Sequence, residues 1–476
     1  MEDAQHTPDI KVAPLMAVLI SGAFVAILNQ TLLVTALPHI MNDLHLTENT
    51  AQWLTTIFML VNGIMIPITA FLIETFTTRK LFLTAMGLFI AGTIVCAFAP
   101  AFSIIMVGRV LQAAGAGIMM PLMQTIFFII FPIEKRGQAM GLFGLVIAFA
   151  PAIGPTLSGY IVDQFPWRAL FFIILPIAII DFIFAYLLLK NVTNQTFPKL
   201  DILSIILSTL GFGGLLYGFS SAGNFGWGSM QVILTILIGV TSLVIFILRQ
   251  FKLKQPILQF KVFTYPIFTI STVLGMIVFI TMIGGATILP IYMQNMHHYT
   301  AFQSGLMLLP GAIVMGVMNP ITGRIFDKFG AKWLAVIGLI LITTSTFMFT
   351  DLTATTSFTF LAVVNAVRML GISMVMMPVT TAGLNTLPIR LIPHGSAMNN
   401  TMRQVSASIG TALLVTIMTS SALDPVKFGK EGMIHGVNVA FMVAGVLAAI
   451  GIVMAFFLKK SEPDGAEAKE QVASDK

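Results

Sequence analysis

Residues 61–81 read VNGIMIPITAFLIETFTTRKL, and residues 314–334 read VMGVMNPITGRIFDKFGAKWL. Laid over one another they set Pro67 over Pro320 and Glu74 over Asp327. Two more pairs follow in nearly the same register: IMMP, ending at Pro121, over VMMP, ending at Pro378, and RGQAM from Arg136 over HGSAM from His394. A chain that repeats itself once, over such a length, is built from two copies of one unit.

The repeated unit is a membrane unit. Over 476 residues, 57% hydrophobic and 9% charged composition with mean hydropathy +0.95 lies outside the soluble range. A span needs about 20 apolar residues to cross a hydrocarbon core of about 30 Å, and only helices or closed barrels satisfy their backbone there. The apolar runs are too long for barrel strands. Helices are expected near 14–36, 51–72, 81–100, 103–127, 138–160, 168–189, 201–220, 230–249, 267–291, 303–325, 332–350, 358–382, 397–421 and 435–458. The pair at 201–249 has no counterpart in the repeat, so the expected all-α plan is six helices, two extra, then six again, a parallel-repeat arrangement used by secondary transporters. The divisions are 1–13, an N-terminal segment; 14–190, the first bundle; 191–266, the extra pair and linkers; 267–458, the second bundle; and 459–476, a tail whose polar run SEPDGAEAKEQVASDK reads as disordered.

An even number of spans puts both termini on one side. Of 25 lysines and arginines, Arg168, Lys427 and Lys430 fall on the other side and Arg109, Arg368 and Arg403 fall within spans; the rest lie in the termini and even-numbered loops. That bias predicts cytosolic termini in a plasma-membrane protein, and it accounts for the net charge of +6 without a nucleic-acid partner. The start, MEDAQHTPDIKVAP, lacks the basic region of a cleavable signal. Cys96 stands alone, which excludes an intramolecular disulfide or a cysteine metal site. His297 and His298 are adjacent, on a loop after the ninth span, not at metal-ligand spacing on a helix face, and no phosphate-binding loop is present. The expectation is a non-enzyme with no metal or cofactor, driven by an ion gradient, working as a monomer.

Six motifs occur in order: NQTLLVTALPHI in the first span, GRVLQAAGAGIMMP in the fourth, APAIGPTLSG in the fifth, WRALFFIILP entering the sixth, GRIFDKFGAK after the tenth and GSAMNNTMRQVSASIGTAL in the thirteenth. Through them the chain resembles the major facilitator superfamily, and within it the fourteen-span drug:proton antiporters that include lincomycin-resistance-type exporters. The resemblance implies a secondary active efflux transporter that exchanges amphiphilic drugs for protons by alternating access. An exporter of an endogenous lipid or metabolite, an uptake symporter and a non-transporting sensor remain alternatives.

Residue roles follow from chemistry and from that resemblance. Pro151 and Pro155 remove backbone donors, and Gly154 and Gly159 permit close approach; together they predict a bent fifth span packed on the opposite half. The thirteenth span, its repeat counterpart, has no proline, so the breakers serve function; in the resembling family this segment acts as a seal against leak. Glu74 and Asp327, at cytosolic helix ends, are expected to form a conformational latch, Asp327 with Arg136 or the start of the fifth span and Glu74 with His394 or Arg403. Arg109 shares a helix face with Gln112 and needs acceptors, with carbonyls, Asn29 and Gln30 as candidates; in the family it is tied to proton transfer, and Arg368 is its repeat partner. Asp181 is the acid left inside a span once the latch acids are set aside, toward the cytosolic third, and is the expected proton carrier. Polar points for cargo are Asn29, Gln30, Asn62, Gln124, Asn319, Asn365 and Asn399, beside a deformable methionine wall at Met119, Met120, Met376 and Met377. Asn29 stands where many family members carry an acid, so neutral, zwitterionic or monocationic cargo is expected over dications.

Overall fold

A long apolar run satisfies its own backbone only by closing into a helix, and the computed structural model of the protein, described over residues 12–459 except 194, contains helices and no strand among those residues. The described residues form fourteen α-helices: α1 (Val12–Leu44), α2 (Glu48–Thr75), α3 (Thr78–Ala97), α4 (Phe102–Ile130), α5 (Arg136–Gln164), α6 (Ala169–Leu188), α7 (Ile202–Phe225), α8 (Met230–Lys252), α9 (Pro266–His297), α10 (Ala301–Phe329), α11 (Ala331–Met348), α12 (Phe358–Asn385), α13 (Ile392–Ser420) and α14 (Pro425–Ala455). All but α13 are apolar enough to count as spans by composition. At 29 residues α13 is long enough, but His394, Asn399, Asn400, Arg403 and Gln404 make it the polar one. The expected terminal segments lie outside the described residues, apart from 12, 13 and 459.

Several helices outrun their apolar cores. α9 continues to His297 and stops where His298 adopts the left-handed conformation at φ 59°. His297 therefore sits in the last helical turn, its ring nitrogen 2.8 Å from the Tyr292 hydroxyl, and not in a loop. α14 begins early and kinks at Gly429, whose φ of 54° only glycine adopts readily. Helix starts are closed by hydroxyls: Thr47, Thr77 and Ser357 cap α2, α3 and α12, and Thr300 with Gln303 forms a capping box on α10.

Packing follows the sequence repeat. α3 lies on α4 and α6, α2 on α4, and α1 on α5, α6 and α4; α11 lies on α12 and α14, and α9 on α12, α13 and α14. The same close glycine crossing appears in each set. A Cβ on Gly108 of α4 would stand 2.8 Å from the Gly92 carbonyl of α3, and one on Gly371 of α12 would stand 2.6 Å from the Gly338 carbonyl of α11. α7 and α8 pack on each other, and α7 also packs on α2 and α13. The two sets meet mainly through α5 against α10, with further contact of α13 on α2 and α4 and of α12 on α5.

That α5–α10 seam is tight at one end and parted at the other. At the end carrying Glu74 and Asp327, here termed the lower end, a Cβ on Gly323 would fall 2.2 Å from the Gly137 carbonyl, and one on Gly141 would fall 2.6 Å from the Asn319 carbonyl. Midway, Gly316 receives the ring of Phe149. By Gly159, near the upper end, no atom lies within 4 Å of the Cβ position. A cleft of about 790 Å³ opens there, lined by Pro155, Gly159 and Tyr160 of α5, His39 of α1 and Phe302 of α10.

Candidate functional site: a central cavity, its lower closure and its buried charges

At the lower end two acids reach across the seam. Asp327, near the end of α10, accepts hydrogen bonds from the backbone N–H of Gly137 at 2.7 Å and of Gln138 at 2.9 Å, in the first turn of α5. A carboxylate there meets orphan donors and the positive end of the helix dipole. Next to it, Arg136 donates to the Asn385 side chain of α12 at 3.0 Å and lies over the Phe128 ring. On the other side of the pseudo-symmetric pair, Glu74 is 2.9 Å from Nε2 of His394, in the first turn of α13. Arg403 does not take part. It lies more than two turns further up α13, buried, with its guanidinium over the Phe279 ring at 4.9 Å, because a residue nine positions along a helix rises by about 14 Å.

Arg109 is fully buried in α4. Its Nε donates to the Leu54 carbonyl at 3.0 Å, one terminal nitrogen donates to Gln112 Oε1 at 3.0 Å, and the guanidinium lies over the Phe58 ring. Gln112 passes the chain on to Thr93 of α3 at 2.9 Å. Neither Asn29 nor Gln30 is a partner; α2 reaches the guanidinium first with a backbone carbonyl. Arg368, its repeat partner in α12, is also buried and donates to a backbone carbonyl, but to Thr281 of α9 at 3.0 Å and with no side-chain acceptor like Gln112. Asp181 is buried in α6 and accepts from the Ser21 hydroxyl of α1; its other oxygen faces Gly22, where a Cβ would come within 3.0 Å of it. The glycine therefore makes room for the carboxylate between α1 and α6.

Gly154 makes its close contact within its own bundle. A Cβ there would lie 2.1 Å from Thr31 Oγ1 of α1, and Thr31 reaches the Ala150 carbonyl of α5 at 3.4 Å. The expected packing of Gly154 and Gly159 on the opposite half is thus corrected: Gly137, Gly141 and Gly144 make that crossing, and Pro155 and Gly159 lie where α5 has left α10, while Pro151 is exposed. A small residue tells that some neighbour comes close; it does not tell which.

Between the two sets lies a cavity of about 370 Å³, within the range of small-molecule sites. Met59 and Leu60 of α2, Leu216 and Phe219 of α7, and Phe279 and Ile283 of α9 give it an apolar side; Gln404, Ser408 and Thr411 of α13, with Gln30, Thr56 and Thr287, give it hydrogen-bonding groups. Among the described residues no charged side chain is part of its lining. Of the seven expected polar points, Gln30 lines it. The others are not in that lining: Gln124 accepts from Ser396 at 2.8 Å and Asn400 at 2.7 Å across α4–α13, the backbone of Asn62 backs onto Gly117, and Asn29, Asn319, Asn365 and Asn399 are buried with amide nitrogens that have no hydrogen-bond partner. Met119, Met120, Met376 and Met377 are likewise absent from the lining. The missed residues had a signal, since 404, 407, 408, 411, 412 and 415 recur at helical spacing and form one small or polar face of α13. Among the described residues no cluster of three or more His, Cys, Asp or Glu is placed to hold a metal.

Residues 19–411 match the profile of the Major Facilitator Superfamily. The chain belongs to that superfamily. It is a multi-pass membrane transporter and not an enzyme. The MFS-type transporter YcnB of Bacillus subtilis (strain 168) is 59% identical, over 94% of this chain and 95% of its own. The lincomycin resistance protein LmrB of the same organism is 41% identical, over 97% of this chain and 98% of its own. Among solved structures, the human organic anion transporter MFSD10 (TETRAN) superposes with a TM-score of 0.68 at 12% identity, over 94% of this chain and 99% of that one, a likeness of fold.

Proposed function

We propose that this protein is a secondary active efflux transporter that exports amphiphilic drugs in exchange for protons by alternating access, from the plasma membrane with both termini in the cytosol. The observation that carries the reading is the cavity: uncharged, apolar on one side and hydrogen-bonding on the other, shut off below by Asp327 and Glu74 and flanked above by a parted α5–α10 seam. That is a site for a molecule with an apolar body and a polar edge. The similarity to LmrB supports antibiotics as the cargo class.

In this reading the chain works as a monomer of two six-helix bundles, 14–190 and 267–458, with 191–266 between them, and the lower end faces the cytosol. The pairing of Asp327 with α5 and of Glu74 with His394 stabilises the outward-facing conformer. Asp181 carries the proton. When it is deprotonated, one of its oxygens accepts from Ser21 and the other has no hydrogen-bond partner; protonation turns one acceptor into a donor and loosens α1 from α6. α1 is the link, because the same helix presents Gln30 to the cavity and Thr31 to α5. Arg109, tied to α2 and α3, holds the helices around that proton path.

A drug-susceptibility panel on cells with and without the gene, lincomycin being the first probe, tests the reading. Expression should raise the inhibitory concentration of several uncharged or singly charged amphiphiles, and collapse of the proton gradient should abolish the difference. Uphill accumulation of the same compounds by expressing cells would overturn it.

A further inference from the structure

α7 and α8 have no partner in the sequence repeat, yet α7 stands in the wall of the central cavity. Leu216 and Phe219 supply part of its apolar side, and Ser220 adjoins them. α7 is pinned to both sets of helices. The Ser408 hydroxyl of α13 donates to the Leu216 carbonyl at 3.2 Å, Trp227 Nε1 donates to Thr416 of α13 at 2.7 Å, and Tyr217 stacks on Trp53 of α2 with ring centroids 5.4 Å apart. Leu216 also presses on Gly63, where a Cβ would lie 2.3 Å from its methyl group.

α8 holds α7 in place. Gly214 and Gly239 bring the two backbones together, since a Cβ on Gly239 would lie 2.7 Å from the Leu215 nitrogen. At the lower end Arg249 of α8 forms a two-bond ion pair with Asp201, the residue just before α7, at 2.8 and 3.0 Å. The rest of α8 is largely apolar and exposed, as a helix in lipid should be. A second, smaller cavity of about 50 Å³ leads upward from the first. It shares Thr56 and Ser220 with it and runs between Trp53, Tyr217 and Phe225 toward the upper ends of α2 and α7.

We infer that α7 determines cargo specificity: Phe219 and Leu216 bind the apolar body of an uncharged amphiphile, while Ser220 and Thr56 frame a saddle toward its release between α2 and α7. The inference rests on the transport reading above, and assigns the unrepeated pair a place in it. Phe219 is the size gauge, because it lines the cavity while its ring packs in a T-shaped contact with Trp227, centroids 5.8 Å apart. α8 acts at one remove, as the brace that keeps the wall in register.

Two neutral fluorescent probes, N-butyl and N-dodecyl dansylamide, separate this role from a structural one. Their binding to purified protein in detergent, by fluorescence enhancement, and their export by reconstituted protein are both measured. Phe219→Ala should weaken N-dodecyl binding and raise its KM by roughly tenfold while changing N-butyl little. Ser220→Trp should block export of the N-dodecyl probe more than that of the N-butyl probe. Leu210→Ala, on the exposed face of α7, should match wild type in both measurements. An unchanged ratio between the probes in both cavity variants, with wild type active, overturns the role of α7 alone. Wild-type binding without export contradicts the transport reading but leaves the binding ratio as the test of α7; absence of both binding and export overturns both.

Discussion

Asp327→Asn isolates the lower closure with minimal change in shape. The native carboxylate accepts two backbone N–H bonds at 2.7 and 2.9 Å. Asparagine retains one acceptor oxygen and turns an amide donor toward the second N–H. One charge-assisted bond is lost, about 1.5–3 kcal/mol, together with the interaction of a negative charge with the α5 dipole, about 0.3–1 kcal/mol. The total, roughly 2–4 kcal/mol, shifts the equilibrium between closed and open lower ends by roughly 30- to 1,000-fold, since about 1.4 kcal/mol is tenfold. Spin labels on cysteines at Lys80 and Trp333, both at exposed positions, in a Cys96→Ser background, report that equilibrium by pulsed dipolar spectroscopy. Cys96 is the chain's one cysteine, and serine can keep its bond to the Ile105 carbonyl. The short-distance population of wild type should give way to a longer one in Asp327→Asn, with slower turnover. An unchanged distance distribution and unchanged turnover would refute the reasoning and leave Asp327 a helix-end acid.

Gly154→Ala should destabilise the protein by about 1–3 kcal/mol through overpacking against Thr31, and Thr31→Ala should recover part of that loss in a thermal-shift measurement; no recovery would mean that the critical neighbour lies elsewhere. Asp181→Asn should abolish drug-driven proton flux while energy-independent exchange of labelled for unlabelled drug continues; persistent proton flux would remove Asp181 from the coupling. The Arg249 ion pair pushes the Asp201 carboxyl down to about 2. Because the folded-state pKa lies below the unfolded one, the pair stabilises the protein above about pH 4 and loses that contribution as the pH falls toward the folded value. The difference in Tm between wild type and Asp201→Asn should therefore be constant from pH 5 to 8 and shrink below about pH 4; a difference that grows on acidification would reverse the sign of the argument.

The membrane architecture was legible because it depends on sums: apolar run length survives errors at single positions. The repeat carried further when joined to the family resemblance, which together matched Glu74 and Asp327 to the starts of α13 and α5. The cavity was harder to read. Asparagines drew attention as polar atoms in lipid, but burial does not place an amide in a cavity: Gln124 bonds Ser396 and Asn400 across α4–α13, while the buried amides of Asn319 and Asn365 lie against glycines without a hydrogen-bond partner. The lining of α13 by small and hydroxyl residues was visible as a helical stripe, whereas Leu216 and Phe219 of α7 look in sequence like any lipid-facing residues. Their place depends on which face α8 covers, and that is set by glycine contacts between two helices rather than by either helix alone.

The central claim is coupling between drug and proton. It is tested most directly in proteoliposomes that hold the lower end outward, with an acid lumen and a pH-reporting dye inside. The account predicts that labelled lincomycin accumulates in the lumen against its gradient, that its addition accelerates lumen alkalinisation, and that an ionophore abolishes the accumulation. Accumulation that survives the ionophore, or drug movement without any accompanying proton flux, would contradict it.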